Sequence, residues 1–179
     1  MDTRDLSLTA IFVALYAVIN LVQSLSPFGN PSIYGPVQLR LADFLIALAA
    51  LLGLPVVIGV TAGCAVVNVF GPIGPIDIIF GSLANLIAAS LVMSLRKYKL
   101  LACILGALPI GIIVGGGYLW MFFEVPKELV FLPAWIAMLI SILVSSWIAI
   151  TVVGYGVLRT LSRPNIIEPL KSRGLKVIE

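Results

Sequence analysis

Few side chains in this sequence could do chemistry, and those that could stand at unusual places. Arg40 and Asp43 lie three apart at the start of a long apolar run, a spacing that puts both on one helical face. They can form a mutual ion pair that anchors the helix end, face a cavity, or do both. Asp77 follows Pro75 and opens another apolar run, where it either caps a helix N-terminus or meets a solute. Asn68 and Asn85 sit inside such runs. An amide in hydrocarbon needs partners, from a neighbouring helix or from a ligand. Ionisable groups at membrane depth are functional candidates by default.

What is missing narrows the chemistry further. The chain has no histidine, which removes imidazole relays, His-containing nucleophile triads and most zinc sites. No Gly-x-x-x-x-Gly-Lys-Ser/Thr loop is present, so this chain does not hydrolyse ATP by a P-loop. Cys64 and Cys103 lie far apart in apolar runs, outside any metal-type spacing, and read as packing residues. A binding protein that needs no cofactor fits better than an enzyme.

The elements that must position these residues are apolar helices. Hydrophobic residues make up 61% of the chain and charged residues 11%, where a soluble domain carries about a quarter charged. With a mean hydropathy of +1.17, lipid must be the solvent for most of its surface. Apolar runs occupy Leu6–Leu25, Leu41–Phe70, Asp77–Leu95, Leu100–Phe122 and Phe131–Leu158. The second is too long for one span of a core about 30 Å thick. Gly53-Leu54-Pro55 interrupts it, which favours two short spans and six in all. With both termini in the cytoplasm, nine of the eleven basic residues fall inside and only Arg40 and Lys127 outside. A five-span chain with its N-terminus outside divides the charges nearly as well, and the Gly-Leu-Pro break decides for six. The expectation is an all-α, multi-pass protein of the cell membrane. Residues 1–160 would form the six-helix domain and 161–179 a loose cytoplasmic tail, or at most a short surface helix.

Two irregular segments lie on the outer side of that arrangement. Ser26–Arg40 carries three prolines with Tyr34 and Gln38, and Phe70–Asp77 carries Gly-Pro-Ile-Gly-Pro. Long loops of this kind often cover sites. Arg40, Asp43, Asn68 and Asp77 converge on the same depth, as a pocket requires. Trp120 and Trp135 read as interfacial belt residues, and Glu124 as a solvated loop charge. Ala10/Ala14, Gly59/Gly63 and Gly111/Gly115 share small-x-x-x-small spacing, for which packing inside the bundle is the plain explanation.

Three linked stretches carry a family resemblance. Tyr34-Gly-Pro-Val-Gln-Leu-Arg-Leu-Ala-Asp43, Gly63-Cys-Ala-Val-Val-Asn-Val-Phe-Gly71 and Asp77-Ile-Ile-Phe-Gly-Ser-Leu-Ala-Asn85 resemble the QueT family. These are substrate-binding S components of energy-coupling factor (ECF) transporters, associated with queuosine precursors. The resemblance covers the first four spans closely and the last two by hydropathy. It implies an outward-opening six-helix S component with the first loop as a lid. It further implies Ala10 and Ala14 as the face that meets the transmembrane coupling (T) subunit, and two separate ATPase subunits. Where the family commonly has a glutamate, this chain has the shorter Asp43.

A 7-deazaguanine solute makes chemical sense of the candidates. Adjacent N–H donors suit one carboxylate, an amide complements a carbonyl edge, and a ring stacked on its face adds about 1–3 kcal/mol. Tyr34, Gln38, Asp43, Asn68 and Asp77 supply those groups, and Arg40 and Asn85 stand beside them. The competing readings are an S component for another vitamin-like solute, an intramembrane enzyme and a structural membrane protein. Nothing in the sequence points to nucleic acid.

Overall fold

Backbone that leaves water must satisfy its N–H and C=O groups within its own segment, so long apolar runs become helices. A computed structural model describes residues 2–25, 39–172 and 174–178, and these are mostly helical, with no strand among them. Tyr34 and Gln38 lie outside the described residues. In chain order the helices are α1 (Thr3–Leu25), α2 (Leu41–Leu52), α3 (Leu54–Asn68), α4 (Asp77–Ser94), α5 (Arg96–Met121), α6 (Ala134–Leu161) and α7 (Pro164–Ser172). Of these, α1, α4, α5 and α6 are long and apolar enough to cross a membrane, while α2 and α3 are shorter apolar helices.

The break between α2 and α3 falls where the Gly-Leu-Pro triplet predicts it. Gly53 takes φ +70°, a conformation that side chains disfavour. Pro55 occupies the first turn of α3, where a missing N–H costs no helical bond. Leu41–Leu48 is wound as a 3₁₀ helix. At about 2.0 Å per residue instead of about 1.5 Å, that winding lengthens α2 by roughly a third over this stretch.

Small residues set the close approaches. A Cβ on Gly59 would stand 2.4 Å from the Phe12 Cβ, and one on Gly63 would stand 2.7 Å from the Tyr16 Cβ. These glycines seat α3 on α1. A Cβ on Gly115 would stand 2.6 Å from the Met138 carbonyl oxygen, which seats α5 on α6. Both glycine pairs are therefore packing seams. Ala10 and Ala14 differ, because both are exposed.

One end of the bundle gathers the beginning and the end of the described chain. Lys176 reaches Asp2 at 2.6 Å, and the Ile178 N–H donates to the Leu51 carbonyl at 2.9 Å. The Ile178 side chain packs over Gly53. This corrects the expectation of a loose tail. Leu175 and Val177 turn toward the core while Lys176 turns toward acids, so alternation of apolar and basic residues binds the segment down. The alternative of a short surface helix holds for α7, which buries Ile167.

Candidate functional site

Away from that end, side chains from five helices meet in one buried polar cluster. Arg40 precedes α2 in extended backbone (φ −82°, ψ 101°), so its side chain leaves the helix line and crosses to α3 and α4. Its guanidinium donates to Asn68 Oδ1 at 2.9 Å and to Asp77 Oδ2 at 3.2 Å. Asn68 donates its amide N–H to the Asp77 carbonyl oxygen at 2.8 Å. From α5, the Tyr118 hydroxyl donates to Asp77 Oδ1 at 2.5 Å. Each oxygen of the Asp77 carboxylate thus has a partner, and the residue has no exposed surface.

A second arm adjoins the first. The Tyr16 hydroxyl donates to Asp43 Oδ1 at 2.6 Å and accepts from Asn85 Nδ2 at 3.0 Å. One guanidinium and two carboxylates give this buried cluster a formal excess of one negative charge. Burial of that kind is costly unless the charge finds a partner.

Two local expectations need correction. Arg40 does not turn to Asp43, because an extended residue ahead of a helix does not share the helix's i,i+3 face; it pairs with Asp77 instead. Asp77 is not a helix cap either. Ile76 holds that position without a side-chain bond, and the Asp77 carboxylate faces the cluster.

Glycine makes the arrangement fit. A Cβ on Gly81 would stand 2.7 Å from Asn68 Nδ2 and 3.0 Å from Asp77 Oδ1. Between Arg40, Asp43, Gly81, Asn85 and Ser146 remains a cavity of about 10 Å³, room for roughly one water. The site described here is closed, and a ring-sized solute can enter only if the helices or side chains around it part.

The structure brings together Arg40, Asp43, Asn68, Asp77 and Asn85 from the sequence candidates. It adds Tyr16, Tyr118 and Gly81, which sequence reasoning passed over. A tyrosine deep in an apolar run is a usable signal, since its hydroxyl must find a partner there. Cys64 packs as expected, and its sulfur also receives the Asn68 N–H at 3.5 Å. Asn20, one turn beyond Tyr16, has a buried Oδ1 with no partner among the described residues. Ala10 and Ala14 are exposed elsewhere on α1, and Glu124 is exposed. Among the described residues no group of three or more His, Cys, Asp or Glu could hold a metal ion.

The sequence profile of the QueT transporter family matches residues 6–163, from the first turns of α1 past the end of α6. The chain belongs to that family. Searches of curated proteins and of solved structures give no match. Membership in the QueT transporter family supports a transport role, and the four long apolar helices agree with a place in the membrane. All the described residues of the cluster lie within the QueT match.

Proposed function

We propose that this QueT-family chain is the solute-binding S component of an ECF transporter, and that its buried cluster receives a 7-deazaguanine-type queuosine precursor. The observation that carries this reading is the convergence of Arg40, Asp43, Asn68, Asp77 and Asn85 on one buried point with an excess carboxylate. A solute offering adjacent N–H donors, or an aminomethyl group, would complement that carboxylate through charge-assisted bonds. Tyr34 and Gln38 would complete the site from the first loop.

The same reading treats α2 and α3 as short spans, giving six crossings with both termini in the cytoplasm. Contacts of residues 2–5 and 174–178 at one end of the bundle support an even number of crossings. Labelling of Ser32→Cys should then occur only from outside, and labelling only from the cytoplasm would remove the six-span arrangement. Exposure of Ala10 and Ala14 supports a T component docking on that face of α1. The absent P-loop leaves ATP hydrolysis to two separate subunits.

Thermal-shift titration of the purified chain in detergent tests the solute. The panel is 7-deazaguanine precursors, guanine, a flavin and a pyrimidine vitamin. Stabilisation by the deazaguanines alone is expected. Stabilisation only by the flavin or the pyrimidine would assign this S component to another solute.

A further inference from the structure

Hydroxyls in apolar helices have few partners to choose from, and the usual choice in this chain is the carbonyl one turn back. Ser82 donates to the Ile78 carbonyl at 2.6 Å, Ser94 to that of Ser90 at 2.8 Å and Ser145 to that of Ser141 at 2.9 Å. Ser146 departs from this pattern. It is 2% exposed, yet its hydroxyl forms no hydrogen bond among the described residues. It is also the last residue of α6 before the Trp147–Gly154 stretch is wound as a π-helix, where backbone bonds run one residue further.

Ser146 borders the closed cavity of the cluster together with Arg40, Asp43 and Asn85. Those three are already engaged. Arg40 holds Asn68 and Asp77, Asp43 accepts from Tyr16, and Asn85 donates to Tyr16. Ile110, Val114 and Ile142 give the rest of the lining an apolar surface. A buried hydroxyl without a partner costs stability, so its place at the cavity calls for a role there.

We propose that Ser146 contacts the solute, donating its hydroxyl hydrogen to a carbonyl oxygen adjacent to the N–H group that Asp43 accepts. This rests on the solute-binding reading of the cluster and narrows it to a solute with a lactam edge, an N–H beside a C=O. An ionised Asp43 only accepts, so it cannot serve the carbonyl. The Ser146 hydroxyl can donate, and it breaks no existing protein hydrogen bond to do so. The cavity beside it, about 10 Å³, has room for roughly one water. The solute carbonyl takes the place of such a water and reproduces its bond to the hydroxyl.

The test is calorimetric titration of the purified full chain in detergent with 7-deazaguanine and with its 6-thio analogue. The analogue keeps the N–H groups but offers sulfur, a weaker acceptor, in place of the carbonyl oxygen. Ser146→Ala should weaken 7-deazaguanine binding about tenfold and the thio analogue by less than about threefold. Its melting temperature without solute should not fall, because no protein hydrogen bond is lost. Ser145→Ala is the control. Ser145 is also buried, but its hydroxyl is held by the Ser141 carbonyl, so both affinities should stay unchanged. Unchanged binding in Ser146→Ala would overturn the contact while leaving the cluster a solute site. Equal losses for the two probes would overturn the carbonyl assignment. A clear fall in melting temperature would make the hydroxyl part of the scaffold and overturn the role as well. Failure of the unaltered chain to bind either probe would remove the 7-deazaguanine reading itself, and the Ser146 assignment with it.

Discussion

Arg40→Met is the most informative perturbation of the cluster. The guanidinium is the cation bonded to a fully buried Asp77 carboxylate, at 3.2 Å, and it also holds Asn68 at 2.9 Å. Removing it leaves the carboxylate buried with the Tyr118 hydroxyl as its remaining side-chain donor. Breaking one side of a buried ion pair costs about 3–5 kcal/mol. At about 2–4 °C per kcal/mol for a chain of this size, the melting temperature should fall by roughly 6–20 °C. Adding Asp77→Asn removes the stranded charge while keeping an acceptor for Tyr118, so the double variant should regain most of that loss. Asp43→Asn is the contrast. Its amide oxygen can still accept from Tyr16, so melting should shift by only about 1 kcal/mol, whereas solute affinity should fall at least about tenfold. Differential scanning fluorimetry and a binding titration on the four proteins read both effects. A loss under about 1 kcal/mol for Arg40→Met, or no recovery in the double variant, would refute the buried-pair reasoning.

Three further outcomes follow from the geometry. Gly81→Ala puts a methyl 2.7 Å from Asn68 Nδ2, so solute affinity should drop about tenfold or more, and unchanged binding would mean the cluster gives way without cost. Ala10→Trp or Ala14→Trp should abolish uptake and co-purification with T and ATPase subunits while the isolated chain still binds solute; normal assembly would remove the docking role from this exposed face. The hydrogen bond from Lys176 holds the Asp2 carboxyl down at about 2, so the contact is complete above the ordinary value of 3.8 and is lost as pH falls toward 2. Lys176→Gln should return Asp2 to the ordinary range in an NMR titration, and an unmoved titration would argue against the tail contact.

Much of the frame is legible in the residues themselves. Gly53 and Pro55 announce the break between α2 and α3 because their backbone constraints are local. Arg40, Asn68 and Asp77 announce a buried polar cluster because polar groups in apolar runs must meet something. Pairing within the cluster is a different matter. Whether Arg40 turns to Asp43 or to Asp77 depends on its extended backbone and on where α3 and α4 stand, which are tertiary facts. Asp77 and Tyr118 both stand in π-helical turns, whose extra residue redirects side chains in a way that helical periodicity does not anticipate. The tail hides for the opposite reason. Its apolar residues are few, and they bury only because Asp2 and Leu51 are there to receive their neighbours.

The two carboxylates of the cluster are not equivalent, and the difference bears on how a solute is recognised. Asp77 has both oxygens engaged and does not border the small cavity, whereas Asp43 and Arg40 do. A buried ion pair contributes little net stability when desolvation is counted, but once formed it fixes the direction of its guanidinium. On the proposed function, Asp77 therefore orients Arg40, and Asp43 is the acid left to meet the solute. An excess carboxylate at the edge of a closed cavity favours parting the site for a ligand that brings N–H donors or a positive charge. A neutral apolar ligand would meet the same opening cost and leave the charge unrelieved. Selection by charge and donor pattern then comes before selection by shape, and the Asp43→Asn arm of the titration is where this order is read. If that variant keeps full affinity while Arg40→Met loses it, the guanidinium rather than the carboxylate makes the first contact.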